Sequence, residues 1–190
     1  MDSWNKLVIF IFFISSCSIS QLKLTEDIVN SPYAMQTISI DNKKEELLFL
    51  NDIDGSIQRW SRDKNLILIT SNGKIIKSYG LNNDFELNSY KGISELKDST
   101  SLIRFKNPES NYLEINFSYH ILETGVMKKL IDQSEFKYTL IEEKFDVPLI
   151  RWKGSNLYWI DKDGYVWATE QIIDPFGKSI KSTTLKKYSD

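Results

Sequence analysis

The sequence is short of almost everything that metal and redox chemistry require. Its 190 residues include one cysteine and one histidine, so no intrachain disulfide, cysteine cluster or histidine-based metal site can be assembled, and no cofactor is expected. It has no excess of one charge: 24 Lys and Arg stand against 26 Asp and Glu. No overall basic field draws the chain to polynucleotides or anionic lipid, and nucleic acid is not an expected partner. The 8 glycines and 4 prolines are sparse, and the glycines occur singly in turn settings, not as a phosphate-cradling loop. No G-x-S-x-G elbow accompanies His120, the lone histidine. At 41% hydrophobic and 13% aromatic content, the chain can build one ordinary domain with a core, and a second is not expected.

What is present begins at the N-terminus. A short stretch carrying Lys6 runs into the apolar segment Leu7 to Ile14, the build of a secretory signal and far short of the roughly 20 residues that cross a bilayer as a helix. Ile14, Ser15, Ser16 and Cys17 follow directly, and this run resembles the lipobox of bacterial lipoproteins. Small side chains are needed beside the scissile bond, and the thiol is the group that receives diacylglycerol. A general secretory signal or a buried apolar helix are the alternatives, but they leave the single cysteine unexplained. Residues 1–16 are therefore expected to be removed as a signal peptide, with Cys17 as the lipid anchor that joins the chain to a membrane. By resemblance to that class, Ser18 in place of an aspartate favours the outer membrane, with the protein facing the periplasm. Residues 17–30 are expected to form a lipidated tether with a short helix over Leu24 to Asn30, ended by Ser31 and Pro32. Residues 31–190 are expected to form a single β-rich periplasmic domain.

Past residue 30 the patterning turns to strands. Asn72-Gly73 lies between Ile67 to Thr70 and Ile75 to Tyr79, the strongest short-range hairpin signal. Asp54-Gly55, Asp163-Gly164 and, more weakly, Thr124-Gly125 add three candidate turns. Ile115, Phe117, Tyr119 and Ile121 alternate with Asn116, Ser118 and His120, one face apolar and one polar. Glu135 to Phe145 reads as another strand, and Pro148 as a strand start or edge. The expected fold is mainly all-β: an antiparallel meander closed into a barrel or strongly curved sheet, with a short N-terminal helix.

Two stretches go further. One is Arg59-Trp60-Ser61, then Leu68 to Thr70, Asn72-Gly73-Lys74-Ile75 and Tyr79-Gly80-Leu81. The other runs from Asn156 to Pro175 (NLYWIDKDGYVWATEQIIDP), followed by Leu185-Lys186-Lys187. With the lipobox, these resemble the YjbF/GfcB family of group 4 capsule lipoproteins across roughly residues 50–190. The sequence departs from that pattern at Lys74, where arginine is usual, at Thr169, where serine is usual, and in having no proline after Leu185-Lys186. The resemblance implies a non-enzymatic part in export or assembly of a capsular or extracellular polysaccharide, beside an outer-membrane β-barrel partner. A polysaccharide-binding module or hydrolase is the alternative function.

Read on their own, the residues of the terminal stretch support a hairpin. A two-residue turn at Asp163-Gly164 would pair Ile160 with Trp167 and Trp159 with Ala168, placing Tyr158, Ile160, Tyr165 and Trp167 on one face. Trp60, Trp152, Tyr158, Trp159, Tyr165 and Trp167 are candidates for a platform on which sugar rings stack, or for a partner-protein surface, with Arg59, Asp161 and Gln171 as polar partners. The competing use of such large rings is to fill the barrel. Asp161-x-Asp163-Gly164 and Asp52-x-Asp54-Gly55 lack the glycine and glutamate spacing of a calcium loop and read as turns. Glu142 and Glu143 are adjacent in a strand and so point to opposite faces, the wrong arrangement for a glycosidase pair.

Overall fold

The computed structural model describes residues 28, 30–90, 93, 96–106 and 108–188. The signal stretch, the lipobox with Cys17 and most of the 24–30 segment lie outside the described residues. Of the expected short helix, Ile28 and Asn30 are described, and both are helical.

Twelve strands follow: β1 (Met35–Ile40), β2 (Glu46–Asp54), β3 (Ile57–Ser61), β4 (Ile67–Ser71), β5 (Lys74–Tyr79), β6 (Phe85–Asn88), β7 (Ser99–Phe105), β8 (Leu113–Lys128), β9 (Glu135–Val147), β10 (Trp152–Asp161), β11 (Val166–Ile172) and β12 (Ser179–Lys186). Each pairs antiparallel with its sequence neighbours, and β12 closes on β1, so the meander is a closed barrel with no free edge in its strand order.

Alternation decides which side chains turn in. On β9, Ile141, Glu143, Phe145 and Val147 are buried, while the alternate residues Glu142, Lys144 and Asp146 are more exposed. The outer wall carries ion pairs across neighbouring strands: Lys77 and Arg104 on Glu86, Lys153 on Asp146, and Lys181 on Glu170. Membrane-spanning barrels are apolar outside and polar inside. This one has charged pairs outside and Trp60, Phe85, Phe105, Phe117, Phe145 and Trp152 within a single core cluster, so its wall is suited to water.

A twelve-stranded barrel is wide enough to leave a hollow, and here the hollow is pinched shut. β5 and β11 stand six places apart by either route round the strand order, yet they touch. A Cβ on Gly73 would lie 2.7 Å from Val166 Cβ. Gln171 on β11 accepts from Ile75 N at 3.0 Å and donates to the Gly73 carbonyl at 2.9 Å.

The turns refine the sequence reading. Ser71 pairs with Lys74 around Asn72 (φ 47°) and Gly73 (φ 78°), two central residues with positive φ as a type I′ hairpin requires. Asp54 pairs with Ile57, which makes Gly55-Ser56 the two turn residues. Thr124-Gly125 is not a turn. It lies inside β8, pairing with Thr139 and Tyr138, and the Tyr138 ring covers the glycine so closely that an added Cβ would sit 2.7 Å from it. Pro148 ends β9 and opens a 3-10 turn over Pro148–Ile150; it does not start a strand. Ile121 keeps the alternation of β8 but is 61% exposed, because beyond its last β7 pairing at Phe117 β8 is paired on the β9 side alone.

The expected two-residue turn at Asp163-Gly164 is a three-residue loop. Asp161 N donates to Tyr165 O at 2.9 Å, and Gly164 takes the left-handed conformation at φ 82°. The Asp161 carboxylate accepts from Asp163 N and Tyr165 N at 3.0 and 2.9 Å, which favours the longer loop. Trp159 does pair with Ala168, but Ile160 pairs with Val166, leaving Trp167 as the extra residue of a β-bulge. Tyr158 and Ile160 therefore pack with Ile93 and Ile141, while Trp167 stacks on Phe136 at 5.0 Å instead.

Candidate functional site in the barrel interior

The deepest polar feature is Glu143, fully buried on the inward face of β9. Its Oε2 accepts from Lys74 Nζ at 2.6 Å, Asn156 Nδ2 at 2.7 Å and Tyr158 OH at 3.0 Å. Its Oε1 accepts from Tyr90 OH at 2.8 Å and Tyr119 OH at 3.2 Å. A carboxylate offers about four lone-pair sites, so five donors saturate it. Lys74 is only 8% exposed and also lies 5.0 Å from the centre of the Phe117 ring.

Burial is the largest influence on Glu143 and pushes its pKa up. The Lys74 charge and hydrogen bond, with the Asn156 and Tyr90 hydrogen bonds, outweigh it and hold the carboxyl below its ordinary value. Tyr158 and Tyr90 respond in the opposite sense: burial first, then the Glu143 charge, raise both phenols well above theirs. The cluster is an ionised carboxylate ringed by neutral phenols, with one ammonium as counter-ion.

The second polar feature is the pinch. Gln171, 2% exposed, spends both ends of its amide on Ile75 N, Gly73 O and Thr169 Oγ1. Asn156 Oδ1 accepts from Ile172 N at 2.8 Å while its other end holds Glu143. Together these amides fix β5, β9, β10 and β11 relative to one another. Beyond the pinch, on the side formed by β1, β3, β4, β11 and β12, a cleft of about 140 Å³ opens at the barrel end that carries the Gly55, Gly73 and Gly164 turns.

The candidate residues read from the sequence fall into separate places. Tyr158 and Gln171 meet in the interior, with Tyr158 OH 3.4 Å from Gln171 Oε1. Trp152 packs in the core between Phe145 and Phe105 at 4.7 and 5.7 Å. Trp60 is buried, its indole N–H on Thr70 Oγ1 at 3.2 Å. Tyr165 and Trp167 meet edge to face at 5.3 Å, with Lys187 Nζ over both rings at 3.9 and 4.7 Å. Asp161 joins them, accepting from Trp167 Nε1 at 2.8 Å and Lys187 Nζ at 2.9 Å. Trp159 is half-buried and Arg59 exposed. These residues do not form one platform; Trp60 and Tyr165 alone among them line the cleft.

Of the Glu143 cluster only Tyr158 was among those candidates. The cluster's signal lay in the alternation that puts Glu143 in phase with Ile141, Phe145 and Val147, and Asn156 in phase with Trp152, Tyr158 and Ile160. A carboxylate in an apolar phase marks a buried charge needing a partner. The partner, Lys74, stands 69 positions away in sequence.

A closed, filled, water-facing antiparallel barrel with a locked interior carboxylate is the class of protein defined here, and its fold has a solved counterpart. The crystal structure of the lipoprotein YmcC from Escherichia coli K12 superposes with a TM-score of 0.72 at 16% identity, covering 92% of this chain and 99% of that one. In sequence, the lipoprotein YjbF of Escherichia coli strain K12 is 23% identical over 172 residues, 85% of this chain and 79% of the relative. The family described as group 4 capsule polysaccharide lipoprotein GfcB, YjbF matches residues 18–185, and the chain belongs to it.

Proposed function

We propose that this lipoprotein is a non-enzymatic accessory subunit in export or assembly of a capsular or extracellular polysaccharide. It works from the periplasmic face of the outer membrane, beside an outer-membrane β-barrel partner. The family match over residues 18–185 supports the link to capsule polysaccharide, and the lipobox with Ser18 supports the location. The observation that carries the non-enzymatic reading is the state of Glu143. A general acid needs a proton to give and a nucleophile needs a free lone pair; Glu143 is ionised, saturated by donors and shut from solvent. Asp174, the other buried carboxylate among the described residues, holds the β11–β12 turn through Oδ1, which accepts from Phe176 N and Lys178 N, while its Oδ2 lies 4.0 Å from Lys178 Nζ.

The test uses the full-length lipidated protein. A strain lacking it should lose surface polysaccharide while the polymer accumulates inside, and affinity purification from the wild type should recover an outer-membrane barrel protein. Release of reducing sugar from the strain's own polymer by the purified lipoprotein would overturn the accessory role in favour of a hydrolase.

A further inference from the structure

The pinch at Gly73, Val166 and Gln171 divides the barrel interior unequally. On the β6–β10 side the space is filled by Ile93, Ile141, Tyr158 and Ile160. On the other side Ile38, Leu48, Leu50, Trp60, Leu68 and Ile180 fill it less completely, and the 140 Å³ cleft remains at its end. Its lining holds no carboxylate, ammonium or guanidinium. Three side-chain amides face it, those of Gln36, Gln58 and Asn72, and among the described residues none of the three has a hydrogen-bond partner. Gln36 is only 7% exposed. Its amide is not one of the buried polar atoms that lack a partner; it opens on the cleft, where water or a ligand answers it. Trp60 supplies an apolar wall, its N–H already spent on Thr70, and Tyr165 closes the rim.

We propose that this half-chamber binds one uncharged sugar ring. Each amide presents a donor and an acceptor side by side, the pattern that a hydroxyl answers with one of each. The absence of any cationic lining group disfavours a uronate or phosphate, and the polar lining disfavours an acyl chain. The volume is about half of the roughly 300 Å³ at which pockets for drug-sized ligands begin, so a single ring or a chain end fits and an internal oligosaccharide does not. The proposal deepens the function proposed above and rests on it in taking a saccharide as the polyol that the protein meets.

The test is saturation-transfer NMR on the full-length lipoprotein in lipid nanodiscs, with methyl glucoside, methyl galactoside, N-acetylglucosamine and glucuronate as probes. At least one neutral sugar should receive saturation and glucuronate should not. Q36L and Q58L, singly and together, should weaken that transfer at least tenfold. The thermal midpoints of both variants should stay close to that of the wild type, which reports that the barrel is folded. No transfer to any neutral sugar, transfer unchanged in the folded variants, or equal transfer to glucuronate would each overturn the proposal. Failure here with surface polysaccharide still lost on deletion strikes the sugar site alone; sugar release by the purified protein strikes the accessory role instead.

Discussion

At the scale of single residues, the Lys74–Glu143 pair decides how the interior behaves. Removing one partner leaves a bare charge in the core, a loss of about 3–5 kcal/mol in comparable sites, whereas replacing both with apolar residues of similar volume is often neutral or better. K74M and E143L should therefore each destabilise strongly, and the double variant should recover most of the loss, read as denaturation free energies in a double-mutant cycle. Single losses that simply add would refute a direct pairing. The same residues set a pH window. Glu143 has its folded pKa below the ordinary value, so its contribution is complete above the unfolded pKa of about 4.3 and is lost as pH falls through the folded one. Tyr90 and Tyr158 have folded values above theirs, so stability is intact below about pH 10 and falls as pH rises past it. Denaturant midpoints should be level between about pH 5 and 9 and drop on both sides. E143Q should flatten part of the acid limb, and an acid limb identical to wild type would show that other carboxylates control it.

At the scale of elements, the β4–β5 hairpin has two duties. Gly73 must adopt φ 78° for the turn, and its missing Cβ lets Val166 approach from the opposite wall. G73A should cost about 1–3 kcal/mol for the conformation alone, plus the clash. Pairing it with V166A should relieve the clash and not the backbone strain, so the double variant should melt between G73A and wild type. A double variant below both singles would mean that Val166 is needed for its own burial more than for the pinch. This hairpin was legible in the sequence, because Asn-Gly between apolar runs has one common use. So was the antiparallel barrel, because alternation and short turns leave few other closures. The Thr124-Gly125 misreading and the Trp167 bulge share a cause: each depends on a side chain elsewhere. Tyr138 covers Gly125 from the next strand, and the Asp161 carboxylate lengthens its loop by binding two backbone N–H groups. Likewise Glu143 could be placed on an inward face from its phase alone, and Tyr119 stands opposite it on β8, but Lys74 and Tyr90 reach it over separations of 69 and 53 positions that local pattern does not encode.

At the scale of the whole molecule, the wall and the anchor divide the work. In a meander the alternate turns share one end, so the chain enters β1 and leaves β12 at the same end as the Gly55, Gly73 and Gly164 turns and the cleft. Lys186 Nζ donates to Ser31 O there, and Ile28 packs against Met35 and Leu185. The eleven-residue step from Cys17 to Ile28 spans at most about 36–40 Å, so the lipid proposed on Cys17 would keep the cleft end within that reach of the bilayer. The outer wall carries Lys–Glu and Lys–Asp pairs, where a membrane-spanning barrel carries an apolar band. Retention should therefore depend on the acyl chains, each buried methylene giving about 0.8 kcal/mol. High salt, which screens charge, should leave the wild-type protein in the membrane fraction, and sodium carbonate should do the same. C17S should move it to the soluble fraction, unprocessed or without acyl label, with its thermal midpoint unchanged because the twelve strands lie between Met35 and Lys186. A C17S protein that stays bound until salt is added would instead mean that the barrel itself is held by a charged partner surface, and the anchor would then be only one of two attachments.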